Sequence, residues 1–174
     1  MSKDIEQAIE AEDWSAARAL IKRRLRATPD DHWLLTRLGL TYYEQRKYAQ
    51  ALKLEERALA LAPRCPLVLW DFAGSLEMLG RYEEAIAVYR RLIRRGVESI
   101  ANDECGEGLR WARGLVADCH YRLAGCYEHL GSKAAAWRAL ERHLDLRGPG
   151  CSSIYPLAEV RREFASARRS RPHS

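Results

Sequence analysis

Apolar residues recur along this chain at helical spacing, and the helical blocks themselves recur every 34 residues. Trp14 and Ala17 align with Tyr48 and Ala51 and, one period on, with Tyr82 and Ala85, while Pro29 and Pro63 each close a helix one period apart. A period of that length is the signature of a helix-turn-helix array. Two stripes fall outside the regular period. Leu109, Ala112, Val116, Cys119 and Leu123 predict a long helix from about Glu107 to Leu130, with Asn102 and Asp103 as a loop or cap before it. Ile154, Leu157, Val160 and Phe164 predict an amphipathic helix over about 154–169, with Arg161, Arg162, Glu163, Arg168 and Arg169 facing water.

Within each block, small and large residues are placed with a purpose. Gly39, Ala73 and Ala124 in first helices face Ala51, Ala85 and Ala136 in second helices, so the two backbones can approach closely. Tyr42, Leu76 and Tyr127, with Tyr48 and Tyr82, then fill the wedges beside each contact. A single hairpin cannot bury its apolar face alone, so the hairpins must stack and the end must be covered, a task the 154–169 helix suits.

The run Leu38, Gly39, Tyr42, Tyr48, Ala51, Ala58, Pro63 resembles the tetratricopeptide repeat. A second unit reads Phe72, Ala73, Leu76, Gly80, Tyr82, Ala85, Tyr89, with alanine for the glycine. A third reads Leu123, Ala124, Tyr127, Gly131, Ala136, Leu140; there His143 replaces a small residue and Pro149 only approximates the closing proline. The resemblance implies an all-α, right-handed superhelical solenoid of such repeats with a C-terminal capping helix. It divides the chain, taken as one domain over 1–174, into a partial repeat over 1–31, repeats over about 32–65, 66–99 and 117–150, an insert over 100–116 that extends a helix, and the capping helix.

In this family the first helices line a concave groove that holds peptides or protein segments. The register set by Leu38, Phe72 and Leu123 turns Trp33, Arg37 and Tyr43 inward from one repeat, Trp70 and Asp71 from the next, and Tyr121, Arg122 and His129 from the third. Tryptophan, tyrosine and arginine on one face have the composition of an interaction hot spot. The same tryptophans could instead cover neighbouring hairpins, and Arg37 and Arg122 could pair with Asp71 or Asp118 as an ion ladder between repeats. The form of the fold that clamps the carboxylate end of chaperone tails uses lysine with asparagine, then asparagine, then lysine with arginine. Here those places hold Thr36 with Leu40, then Asp71, then Asp118 with Arg122, so that clamp is missing. The insert is the least generic segment. It either packs on the adjacent hairpin or presents Arg110 and Trp111 at one rim of the groove.

Composition narrows the classes. At 174 residues and 47% hydrophobic content, the chain can bury a substantial core. No apolar run reaches the length of a membrane span, and the opening Met-Ser-Lys-Asp-Ile-Glu lacks the apolar core of a secretory signal, which points to a cytoplasmic protein. Five cysteines without paired spacing fit a reducing compartment. The net charge of +5 gathers at the ends of second helices, in Lys22, Arg23, Arg24 and Arg26 and in Arg90, Arg91, Arg94 and Arg95, where it complements the helix dipole. Those runs carry acidic neighbours and no interleaved aromatics, which argues against nucleic acid as the partner. Cys119, His120, Cys126 and His129 do not have the spacing of a zinc module, and Cys105 lies among acidic residues that would raise its thiol pKa. The expectation is therefore a non-catalytic protein-protein interaction module with no cofactor and no metal. A secretion-type chaperone is one alternative, although those are commonly acidic; a self-associating scaffold, a homo-oligomer, is the other.

Overall fold

The protein, represented by a computed structural model, is described over residues 3–148 and 150–169, with side chains to residue 166. Pro149, and the outward orientation of Arg168 and Arg169, lie outside the described residues. Every regular element described is a helix, and the chain forms two compact units, residues 1–80 and 81–174.

The first unit holds α1 (Lys3–Glu10), α2 (Trp14–Leu25), α3 (His32–Tyr43), α4 (Tyr48–Leu61) and α5 (Pro66–Met78). Their starts are chemically marked. The Asp13 and Asp31 carboxylates accept the amide protons of Ala16 and Leu34 at 2.9 and 3.0 Å, and Pro66 opens α5, where a missing N–H costs nothing. Ile5, Ile21, Leu34 and Leu38 form a core cluster, with Ile9, Leu20, Trp33, Tyr42 and Leu54 packed on it. Two ion pairs, Arg24 to Asp4 and Arg37 to Glu6, both at 2.9 Å, tie α1 to α2 and α3. At Gly39 a Cβ would lie 3.2 Å from Glu55 Cγ and 3.6 Å from the Ala51 carbonyl, so α3 and α4 meet where the small residues stand.

The second unit holds α6 (Tyr82–Arg94), α7 (Val97–Ala101), α8 (Leu109–His129), α9 (Lys133–Leu146) and α10 (Leu157–Arg169). The long helix α8 is its spine, packed against α6, α7 and α9, and α10 packs on α9. Ala124 and Ala136 are buried in α8 and α9. The His143 imidazole is buried too, with Nδ1 2.8 Å from the Ala117 carbonyl, and so carries its proton on Nδ1 and cross-links α9 to α8. Helix α6 ends at Arg94, because Gly96 turns into the left-handed region (φ +78°) and starts α7. The half-buried Arg95–Asp103 pair at 2.8 Å pins the loop beyond α7. The last helix begins at Leu157 and not at Ile154. Pro156 disfavours helical backbone in the residue before it, residues 151–156 run without helix, and Ile154 is 70% exposed instead of joining the apolar stripe.

The turn inside each hairpin obeys the same 34-residue register. Glu12, Arg46, Gly80 and Gly131 occupy equivalent places, and all have positive φ, from 53° to 76°. The flanking amides close the preceding helix in a Schellman pattern, as where Arg46 N–H donates to Tyr43 O at 2.8 Å and Lys47 N–H to Tyr42 O at 2.9 Å. Two of these turns, at Glu12 and Arg46, hold this geometry with a side chain that disfavours it. Arg46→Gly should therefore raise stability by about 0.5–1 kcal/mol, since left-handed backbone costs an L-residue roughly 1–2 kcal/mol and glycine returns part of that gain as unfolded-chain entropy. Urea unfolding checks this: the midpoint should rise at unchanged slope, and a lowered midpoint would show the turn is unstrained.

Candidate functional site

In the first unit the positions expected to face inward fall on α3 and α5, which pack against each other. Trp33 leans on the core cluster and remains half-buried, with the Arg37 guanidinium over its ring at 5.5 Å. Arg37 Nε donates to Glu6 Oε1 at 2.9 Å, so its ion-pair partner is α1 and not the Asp71 expected of a ladder between repeats. Trp70 is half-buried beside Asp71, and Tyr43 packs edge-on against Tyr48 with ring centroids 5.3 Å apart.

Asp71 faces a less ordinary neighbour. Glu55 is fully buried, with neither carboxyl oxygen in a well-formed hydrogen bond; Asp71 Oδ2 and Ser75 Oγ are enclosed in the same state, and the Ser75 hydroxyl lies close enough to Glu55 to pull its pKa down a little against the burial. Burial pushes the Glu55 carboxyl up to about 9, and the charge of Asp71 pushes it further in the same direction. Asp71 is itself raised to about 7 by burial, with Arg37 pulling it down and Glu44 pushing it up. The 34-residue register explains the anomaly. Glu55 is equivalent to Ile21 and Tyr89, both fully buried, so a carboxyl group fills a slot that the other hairpins give to an apolar or aromatic side chain. That mismatch was legible in the repeat alignment, although hydrophobic periodicity alone passes over it.

In the second unit the residues expected to face inward lie on α8, and the chain's own residues 151–156 lie against part of that helix. The Ser152 amide donates to the Arg110 carbonyl at 3.2 Å. Ser153 Oγ donates to Asp118 Oδ1, and the Ile154 amide donates to Asp118 Oδ2 at 3.0 Å. The Tyr155 ring sits 4.1 Å from that of Tyr121. Arg122 Nε donates to the Tyr89 hydroxyl at 3.2 Å and Nη1 to the Tyr155 hydroxyl at 3.4 Å, while Tyr121 donates to Glu163 on α10 at 2.9 Å. Asp118 thus serves the chain's own segment, not an arginine ladder. Its carboxyl is raised by burial, against the pull of the Ser153 and Ile154 hydrogen bonds.

The other candidates take quieter positions. His129 stacks flat on Tyr82 with centroids 4.5 Å apart. Arg110 exposes its side chain and contributes its carbonyl, and Trp111 is half-buried. Cys119 and Cys126 are wholly buried, and burial followed by the charge of Asp118 drives the Cys119 thiol pKa well up, which keeps it protonated. His120 is pushed down to about 4, chiefly by burial, and is neutral. Among the described residues no helix is long and apolar enough to cross a membrane.

The tetratricopeptide repeat family matches residues 36–98. The human superkiller complex protein 3 is 26% identical over 167 residues, covering 86% of this chain and 10% of that protein. The Arabidopsis thaliana TPR repeat-containing thioredoxin TTL4 is 33% identical over 110 residues, covering 63% of this chain and 13% of its own length. The chain therefore spans about a tenth of the length of such relatives. Among solved structures, MamA superposes with a TM-score of 0.71 over 96% of this chain and 78% of its own, at 18% identity. YrrB, a TPR protein with an unusual peptide-binding site, superposes with a TM-score of 0.65 over 82% of this chain and 65% of its own, at 17% identity. The all-α solenoid expected from the repeats is the fold these structures share.

The buried carboxyl pair sets a pH dependence whose sign is fixed. Glu55 loses its proton near 4.5 when unfolded and near 9 when folded, so between those values the unfolded chain binds fewer protons and stability falls as pH rises. Asp71 acts in the same direction only up to about 7. His120 and His143, both lowered by burial, oppose the trend below their ordinary value of 6.5, and the Cys119 and Cys151 thiols, both raised by burial, add to it as the pH nears 9, so Glu55 dominates the slope between about pH 7 and 8. There the wild type should lose up to about 1.4 kcal/mol per pH unit, while Glu55→Gln should be flatter and more stable at pH 8. Parallel curves for the two proteins in thermal unfolding would show that Glu55 is ionised in the folded chain at neutral pH.

Proposed function

We propose, from the chain's membership of the tetratricopeptide repeat family, that it is a non-catalytic protein-protein interaction module that captures a segment of a partner protein in the cytoplasm. The observation that carries this reading is the first-helix face of α3 and α5. It presents two half-buried tryptophans, Trp33 and Trp70, beside the oriented guanidinium of Arg37 and the carboxyl of Asp71. Aromatic area next to directional charge is how interaction surfaces concentrate their binding energy. The peptide-binding site of YrrB and the place of superkiller complex protein 3 in a complex support the same use of the fold. On this reading the groove anchors are Trp33, Arg37, Trp70 and Asp71, with Tyr43 at the margin. Tyr121, Arg122 and His129, together with the Arg110 and Trp111 rim, serve the second unit, whose inward face the chain covers itself.

Arg37 and Glu6 share one ion pair, and this separates recognition from packing. Arg37→Ala and Glu6→Ala remove the same ion pair, but the arginine alone supplies the group held over Trp33. In affinity capture from native lysate, the partner kept by wild type should be kept by Glu6→Ala and lost by Arg37→Ala. Equal loss in both would reduce the face to packing.

A further inference from the structure

Residues 151–156 engage α8 as a bound peptide would, through main chain, one hydroxyl and one aromatic ring. The cradle runs up one side of α8 at helical spacing, from the Arg110 carbonyl through Gly114 to Asp118 and then to Tyr121 and Arg122. Gly114 is essential to it. A Cβ there would lie 1.6 Å from the Ser152 carbonyl oxygen and 2.4 Å from its carbon, so the extended segment fits only because that helix position carries no side chain. Asp118 then takes the Ser153 hydroxyl and the Ile154 amide on its two oxygens, an arrangement that reads a hydroxyl residue followed by a free backbone N–H. Ile154 points away, 70% exposed, and Tyr155 lies on Tyr121 with its hydroxyl on Arg122. Arg110 and Gly114 both belong to the insert, which accounts for its extra helical turns: they build the first half of the cradle.

We propose that this face of α8 is a peptide-binding surface for a partner segment with a serine or threonine, any residue, then tyrosine, and that residues 151–156 are a built-in competitor that holds it closed. The proposal rests on the reading of these hairpins as segment-binding modules and places a second, regulated site on the second unit. The contacts that hold the strap to α8 can be made equally by a peptide in trans, and the Arg147 bond to the Tyr155 carbonyl at 2.7 Å comes from α9's end and is open to a peptide as well. The helix beyond the strap is lightly anchored. In α10 the one residue buried among those described is Val160, with Phe164 half-buried and stacked on Trp137 at 5.4 Å. Glycines 148 and 150 precede the strap, the latter with φ +81°. Tethering makes the strap effective as a competitor, since a short link gives it a local concentration on the order of millimolar.

The test uses the whole 174-residue chain and a capped, fluorescent peptide spanning residues 150–157 with its cysteine replaced by serine. In the chain carrying Ser153→Ala and Tyr155→Ala, the tethered copy is weakened and the α8 face is untouched. That variant should bind the peptide at least tenfold more tightly than wild type. Adding Asp118→Asn or Gly114→Ala to it should reverse the gain, and adding Arg37→Ala should leave it unchanged, which keeps this site separable from the groove of the first unit. Equal binding by wild type and variant, or binding indifferent to Asp118, overturns the proposal. Should the variant lose helicity, hydrogen exchange on wild type decides: excess peptide should speed exchange of the Ile154 amide, and unchanged protection at saturating peptide overturns it. A wild-type dimer formed by exchange of the strap, and dissolved by Asp118→Asn, would assign the face to a second copy of this chain and overturn the partner reading.

Discussion

The close approach of paired helices is the constraint on which each hairpin depends. Two α-helices with ordinary side chains between them stand roughly 8–10 Å apart, and only a small residue at the crossing lets them come nearer. Gly39 against the Ala51 carbonyl and the Glu55 side chain makes that contact in the first unit; Ala124 and Ala136 are the corresponding buried small residues in the second. A turn that reverses direction within a few residues must then place the second helix on that crossing and no other. The left-handed residue at 12, 46, 80 and 131 performs that reversal, even where the residue is glutamate or arginine. Retention of a disfavoured conformation at the same step of the repeat shows that tertiary packing sets the turn and overrides local preference.

Against that regular frame, Glu55 stands out because the slot is defined by its equivalents. A carboxyl where Ile21 and Tyr89 are buried gives up hydrophobic stabilisation, and it stands without a well-formed hydrogen bond beside a second acid, Asp71. Such a group survives burial by staying protonated, since the neutral acid is far cheaper to desolvate than the anion. Tyr89 shows what the slot otherwise provides: its hydroxyl accepts from Arg122, on the first helix of the third repeat. Asp71 holds the position equivalent to Arg122 in the preceding repeat, so an arginine–tyrosine pair in the second unit corresponds to an acid–acid pair in the first.

Much of the fold was legible because it rests on a repeating pattern of residue size. Gly39, Ala124, Ala51 and Ala136 with their flanking aromatics identify the hairpins, and the apolar stripe from Leu109 to Leu123 locates α8 to within two residues at either end. Elements that break the period were harder to read. Helix α7 depends on Gly96 leaving the helix and on Ile100 and Ala101 being buried, a long-range outcome that five residues of sequence do not announce. The strap was hidden because Ile154 happens to continue a helical spacing; Pro156, which ends it, was the local sign. For the candidate site, sequence placed the right residue types on the first helices but not their partners. Arg37 meets Glu6 from a helix 31 residues earlier, and Asp118 meets a serine 35 residues later. Pairings between segments some thirty residues apart are decided by packing geometry, which periodicity does not carry.

The insert and the strap make sense only together. Extra turns at the start of a first helix expose a polar backbone carbonyl and a bare glycine position, neither of which stabilises a helix by itself; glycine in a helix interior costs about 1 kcal/mol relative to alanine. That cost is offset where another backbone lies directly on the glycine, as Ser152 does on Gly114. A purely structural clasp would be expected to bury apolar side chains, yet the strap exposes Ile154 and relies on Asp118, a hydroxyl and a tyrosine ring. Polar, geometry-dependent contacts contribute less to net stability than apolar burial but discriminate more sharply among ligands, because a wrong segment leaves a buried carboxylate unsatisfied. The chemistry of the strap is thus better matched to selection among segments than to holding the fold closed.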